Sequence, residues 1–100
     1  MGKKLGKKVF IEFHADWCGF CRMMEGSTFK DASVIAILNK DFIPVKVHSD
    51  KEQEIALRYD IRALPNIAFI SEDGTRIGSV PGYIPSERLI EILEQVKRMG

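Results

Sequence analysis

Two cysteines three positions apart, with no others in 100 residues, constrain this chain more than any other feature of it. They lie in Trp17-Cys18-Gly19-Phe20-Cys21, between an extended apolar run, Val9-Phe10-Ile11-Glu12-Phe13, and a helix-compatible stretch, Arg22-Met23-Met24-Glu25. A C-x-x-C at a strand-to-helix junction puts the first sulfur at the helix N-terminus. Unpaired N–H groups and the positive end of the helix dipole stabilise a thiolate there. The second sulfur falls one turn further in, close enough to close a disulfide with the first. Cys18 is then the nucleophile, and Cys21 is placed to resolve the mixed disulfide that Cys18 forms. The bland alternatives are an inert buried pair, or half of a zinc site that His14 and His48 would complete. Zinc pairs sit on tight knuckles or loops, whereas His14 lies inside a strand four residues before Cys18. The redox reading is therefore preferred to the metal one.

Composition narrows the remaining classes. A length of 100 residues gives one domain with a modest core, and a net charge of +1 offers no electrostatic case for nucleic acid or acidic substrates. Four lysines among residues 3–8 form the only dense charge run, read as a solvated end. No apolar stretch approaches the ~20 residues of a membrane span, so no membrane insertion is expected. Glu12 and His14 interrupt the first apolar run, so no signal peptide is read and the chain as it stands is expected in the cytoplasm. A leader removed ahead of residue 1 would instead make it periplasmic or exported. Two cysteines this close together do not make a disulfide-stapled scaffold.

Taken in order, residues 1–7 read as a flexible end and residues 8–100 as the domain. Lys8 to His14 is β-rich without clean alternation, as in a central strand covered on both faces. A helix is expected from Gly19 to about Phe29, loosened at Gly26. Ser33 then caps a short helix with Val34, Ile37 and Leu38 on one face. Phe42 to His48 reads as a second buried strand with Pro44 near its start. Asp50-Lys51-Glu52-Gln53 has the spacing of a capping box, opening a helix that ends near Tyr59 with Ile55, Ala56 and Tyr59 inward. After Leu64-Pro65 comes the strand Asn66–Ile70, and Glu72-Asp73-Gly74 supplies the turn of a hairpin into Thr75–Val80. Pro85-Ser86 starts the last helix, with Leu89, Ile92, Leu93 and Val96 at i, i+3, i+4 and i+7. The order is β-α-α-β-α-β-β-α, in which the first two strands need a crossover and the last two form a hairpin.

The run FIEFHADWCGFC resembles the active-site strand and turn of the thioredoxin superfamily. Its continuation through Arg22-Met23-Met24-Glu25, Thr28-Phe29, Val34, Leu38 and Phe42 is similar to a narrower branch, the DsbD C-terminal domain and small, mostly exported thioredoxin-like proteins. The similarity spans roughly Lys8 to Lys97 and is most specific at WCGFC and Ala63-Leu64-Pro65-Asn66. It implies an α/β thioredoxin-like fold with a four-stranded mixed sheet of order 2-1-3-4 and helices on both faces. The N-terminal strand and helix of a full thioredoxin are missing from the pattern.

The resemblance also implies roles. Trp17 lies flat beside the disulfide, and Gly19 and Phe20 complete the contact surface. Phe20 occupies the position that tunes redox poise, where a Pro or His would have hinted at reductant or oxidant. Glu12 stands where thioredoxins carry a buried carboxylate, usually Asp, and its longer arm is a departure. Glu25 matches a second acid of the narrower branch, and Lys46 a lysine facing the buried acid. Each of the three also reads as an ordinary surface or snorkelling side chain. Leu64-Pro65 matches a cis-proline loop opposite the cysteines that pairs with extended substrate. Gly82 matches the glycine that keeps a nearby loop low.

The resulting expectation is a monomeric thiol–disulfide oxidoreductase with the reductase direction favoured. Its catalytic residues are Cys18, Cys21, Glu12 and Glu25, and its substrate-binding residues are Trp17, Gly19, Phe20, Leu64, Pro65 and Gly82. No metal and no dissociable cofactor are expected, because the dithiol itself carries the electrons. Partners are protein disulfides or thiols and an upstream electron donor. The rival from another class is a thioredoxin-like binding module, a chaperone or metal-handling protein, that uses the cysteines as ligands.

Overall fold

Lys8–His14 forms β1, the strand on which everything else is hung. The structure, a computed structural model, describes residues 6–99, and most of the flexible end expected over 1–7 lies outside them. Lys8 is not solvated, as the lysine run suggested. It opens β1, is buried, and reaches the turn residue Glu72 with its ammonium 3.2 Å from the carboxylate.

The other elements follow as α1 (Gly19–Gly26), a 3-10 turn (Thr28–Lys30), α2 (Ala32–Asp41), β2 (Phe42–His48), α3 (Gln53–Arg58), β3 (Asn66–Ile70), β4 (Arg76–Pro81) and α4 (Ser86–Lys97). The sheet order is β2-β1-β3-β4. β1 runs parallel to β2 and antiparallel to β3, and β3 and β4 form the antiparallel hairpin. This is the mixed four-stranded sheet that the sequence implied. Among the described residues no strand or helix precedes β1.

The period-two geometry of β1 divides the interior in two. Phe10 joins Met24 of α1, Val34 and Leu38 of α2, Ile67 and Phe69 of β3, and the α4 stripe Leu89, Ile92, Leu93 and Val96. Val9, Ile11 and Phe13 point the other way, to Val47, Ala68, Ile70 and Ala56 of α3. Three helices thus cover one face and α3 the other, which is why β1 reads as continuously apolar. Glu12 has the parity of Phe10 and lies on the three-helix face.

Several local expectations are corrected. α1 stops at Gly26 rather than near Phe29. Glycine is a poor helix former, and the Ser27 hydroxyl turns back to donate to the Met23 carbonyl at 2.6 Å. The buried Thr28 hydroxyl then donates to the Ile84 carbonyl at 2.6 Å, pinning the bend to the loop before α4. Asp31, not Ser33, caps α2. Its Oδ1 accepts from the Ser33 and Val34 amides at 2.8 and 3.4 Å. β2 is an edge strand rather than a buried one. With β1 as its sole neighbour in the sheet, it leaves Pro44 and Lys46 exposed. The capping box before α3 does not form, because the Asp50 carboxylate is taken by Trp17, and Gln53 Nε2 donates to the Asp50 carbonyl instead. β4 begins at Arg76, because Asp73 Oδ1 and the Ser71 hydroxyl claim the Thr75 amide.

Candidate active site

β1 ends at His14, and a turn closed by the Cys18 amide on the Ala15 carbonyl, at 3.2 Å, delivers the chain to α1. Cys18 is the N-cap of α1, with extended backbone at φ −85° and ψ 106°. Its Sγ accepts the Cys21 amide at 3.1 Å, the place an oxygen cap would occupy. A disulfide joins Cys18 to Cys21, with Cα atoms 5.2 Å apart, and both residues are buried. The sulfur of Cys18 therefore meets one of the unpaired amides of the helix and sits at the positive end of its dipole. Arg22, one turn in, donates from Nη1 to the Asp16 carbonyl and braces the turn.

Around this buried bond the surface is apolar. Trp17 is 68% exposed and Phe20 59%, and Met23 is exposed on the same helix. The Trp17 indole N–H donates to Asp50 Oδ2 at 2.9 Å, which fixes the ring from the β2–α3 loop. Gly19 is the first residue of α1, and a Cβ there would meet no backbone, only the Arg22 guanidinium at 4.0 Å.

The facing wall is the loop before β3. The Leu64-Pro65 peptide is cis, Pro65 is buried, and Leu64 packs against the cluster of Ala15, Cys18 and Cys21. Gly82, at φ +90°, donates its amide to the Pro65 carbonyl at 2.8 Å. A Cβ on Gly82 would project into open space, so the glycine is required by its backbone conformation rather than by crowding.

Beneath the disulfide-bearing helix lies the buried acid. Glu12 is 8% exposed, and its Oε2 has no hydrogen-bond partner. Burial pushes its carboxyl up from 4.5 to about 7. The Lys46 charge opposes that shift and the Glu25 charge adds to it. Lys46, opposite Glu12 in the β1–β2 register, places Nζ 2.7 Å from Glu25 Oε1, and that hydrogen bond holds the lysine above its usual range. Glu12, Glu25 and Lys46 thus line one cleft, but Lys46, which the resemblance had facing the buried acid, bonds Glu25 instead.

A family model described as a thioredoxin-like domain matches residues 2–97 of the chain. The chain belongs to this thioredoxin-like family. A thioredoxin from Mycoplasmoides gallisepticum is 38% identical over 88 residues, which cover 88% of this chain and 83% of that protein. Thioredoxin 1 from Synechococcus elongatus is 32% identical over 91 residues, covering 87% and 78%. The solution structure of a thioredoxin from Thermus thermophilus matches with a TM-score of 0.84 at 27% identity, over 95% of this chain and 77% of that one. These relatives establish the thioredoxin superfamily and its redox-active disulfide without singling out the DsbD-like branch.

Several contacts of this thioredoxin-like site were not legible in the sequence. Asp50 holds Trp17, though its spacing had pointed to a helix cap. The His14 and His48 rings meet edge to face at 5.1 Å, and His48 Nε2 lies 3.1 Å from Asp16 Oδ1 without hydrogen-bond alignment. Burial and then the Lys46 charge hold His14 below its usual range. The Ser27 and Tyr83 hydroxyls lie 3.1 Å apart, a second tie between the α1 bend and the Gly82 loop. None of these contacts has a local sequence signal, since each joins side chains brought together only by the fold.

Proposed function

We propose that this chain is a thiol–disulfide oxidoreductase that reduces disulfides of protein substrates. In the reduced form, the Cys18 thiolate attacks one sulfur of a substrate disulfide. That bond breaks, one substrate sulfur leaves as thiolate, and a mixed disulfide forms. Cys21 then loses its proton to the Glu12 carboxylate and attacks Cys18 Sγ. The second substrate sulfur is released, and the Cys18–Cys21 bond closes. Two electrons have passed to the substrate, which takes up two protons, one of them by way of Glu12. A thiol donor returns the electrons.

The observation that carries this reading is the placement of Cys18 Sγ as the N-cap of α1, bonded to the Cys21 amide. Exposed Trp17 and Phe20 beside it, and the Pro65 loop facing it, support an extended polypeptide as the substrate. Reduction of insulin by dithiothreitol, measured beside the metal content of the purified protein, tests the proposal. Catalysed precipitation by a metal-free protein supports it. An idle dithiol carrying stoichiometric zinc or copper would favour the binding-module reading instead.

A further inference from the structure

Lys46 stands opposite Glu12 on the same side of the sheet, yet its ammonium group is turned to Glu25. Glu12 keeps an unpartnered carboxylate oxygen although a cation stands on the neighbouring strand. The Lys46–Glu25 pair is itself half-exposed, with side-chain exposures of 54% and 38%, so solvent screening leaves it little part in stability. A shallow cleft of about 510 Å³, lined by Glu12, Glu25, Gly26, Phe29, Lys30 and Lys46, opens at the same place.

We infer that Glu25 is a positioning residue that holds the Lys46 ammonium away from Glu12 and so leaves Glu12 free to carry a proton. A cation within reach of a carboxylate lowers its pKa by about one to three units. Paired to Lys46, Glu12 would stay charged through the neutral range and would be too weak a base to take up the Cys21 proton. Glu25 removes that outcome by offering Lys46 a better-solvated partner. Glu25 of α1, Lys46 of β2 and Lys30 line the cleft with Glu12; His14 and His48 share its face of the sheet; and Lys8 and Arg22 are the remaining charged residues of β1 and α1. β3 places the uncharged Ile67 opposite Glu12. Of these, Lys46 and Glu25 are the two whose charges act on Glu12.

The inference rests on the reading that Glu12 moves the Cys21 proton, but its test does not depend on turnover. The Glu12 side-chain carboxyl is titrated by carbon-13 NMR in the disulfide form of the wild type, Glu25→Gln, Lys46→Met and the double variant. Both substituted side chains are half-exposed, so neither change empties the core. Glu25→Gln is expected to lower the Glu12 midpoint by at least about one unit, as Lys46 swings across. In the Lys46→Met background the same substitution is expected to have a much smaller effect. Equal falls in both backgrounds would mean that Glu25 acts by its own charge, and no fall would mean that Lys46 is not held back; either overturns the inference. The insulin turnover of Glu12→Gln is a separate measurement. Unimpaired turnover would sink the proton-transfer reading while leaving the titration result intact.

Discussion

The Gly82 amide and the Pro65 carbonyl are bonded at 2.8 Å, so the loop after β4 is tied to the wall that faces the disulfide. The bond requires φ +90° at Gly82, a conformation that side chains with a Cβ resist. Gly82→Ala is therefore expected to lose about 1–2 kcal/mol of stability in urea denaturation. Its methyl group would also stand in open space beside the Pro65 loop, where the proposed protein substrate would approach. Insulin reduction should fall more than reduction of a small aromatic disulfide. Equal loss on both substrates would show that the loop does not meet the substrate.

Glu12 links pH to stability with a definite sign. Its carboxyl is raised from 4.5 to about 7, so the folded chain binds this proton more tightly than the unfolded chain does. The stabilisation is complete below pH 4.5 and is lost as the pH rises through about 7. At pH 8 the loss reaches roughly 3 kcal/mol. Glu12→Gln should recover up to that amount at pH 8 and converge on the wild type below pH 4.5, as read by denaturant melts across the range. The same variant should reduce disulfides at least about 10-fold more slowly, because the amide cannot take the Cys21 proton.

Cys18, as the N-cap of α1, is expected to titrate below the ~8.5 of a free thiol. Alkylation rate against pH in the reduced Cys21→Ser variant gives the midpoint directly. A value at or above the free-thiol range would remove Cys18 from the role of nucleophile.

Asp31 offers a control away from the redox chemistry. Its carboxylate caps α2 through the Ser33 and Val34 amides. Asp31→Ala should lower stability by about 1 kcal/mol and leave insulin turnover unchanged. A variant that lost activity in proportion to stability would couple α2 to the site in a way these contacts do not suggest.

Much of the fold was legible because its signals are local. Continuous apolar residues in β1, the 3-4 spacing in α4, and the single C-x-x-C at a strand-to-helix junction each depend on neighbours within about two turns. Where several residues compete for one partner, the sequence was ambiguous. Asp50 is spaced as a cap for α3, but Trp17 takes its carboxylate, and Asp31 reaches the first amides of α2 before Ser33 can. β2 looked buried because Val45 and Val47 are apolar, and only the strand order shows it at the edge. At the site, Glu12 stood out as a charge in an apolar run. The bond that decides its surroundings, Lys46 to Glu25, joins residues 21 positions apart that share nothing in the sequence.

Cys18 and Cys21 pack with Ala15 in a small cluster at the rim of the sheet, and Leu64, which packs against them, also packs against the core on the α3 face. The bond on which the proposed chemistry turns is thus seated at the rim, with Leu64 as the side chain it shares with one interior. If the two redox forms differ in outline, the difference is expected to begin at the sulfurs and at Leu64, and a partner that must tell the full carrier from the empty one would read it there.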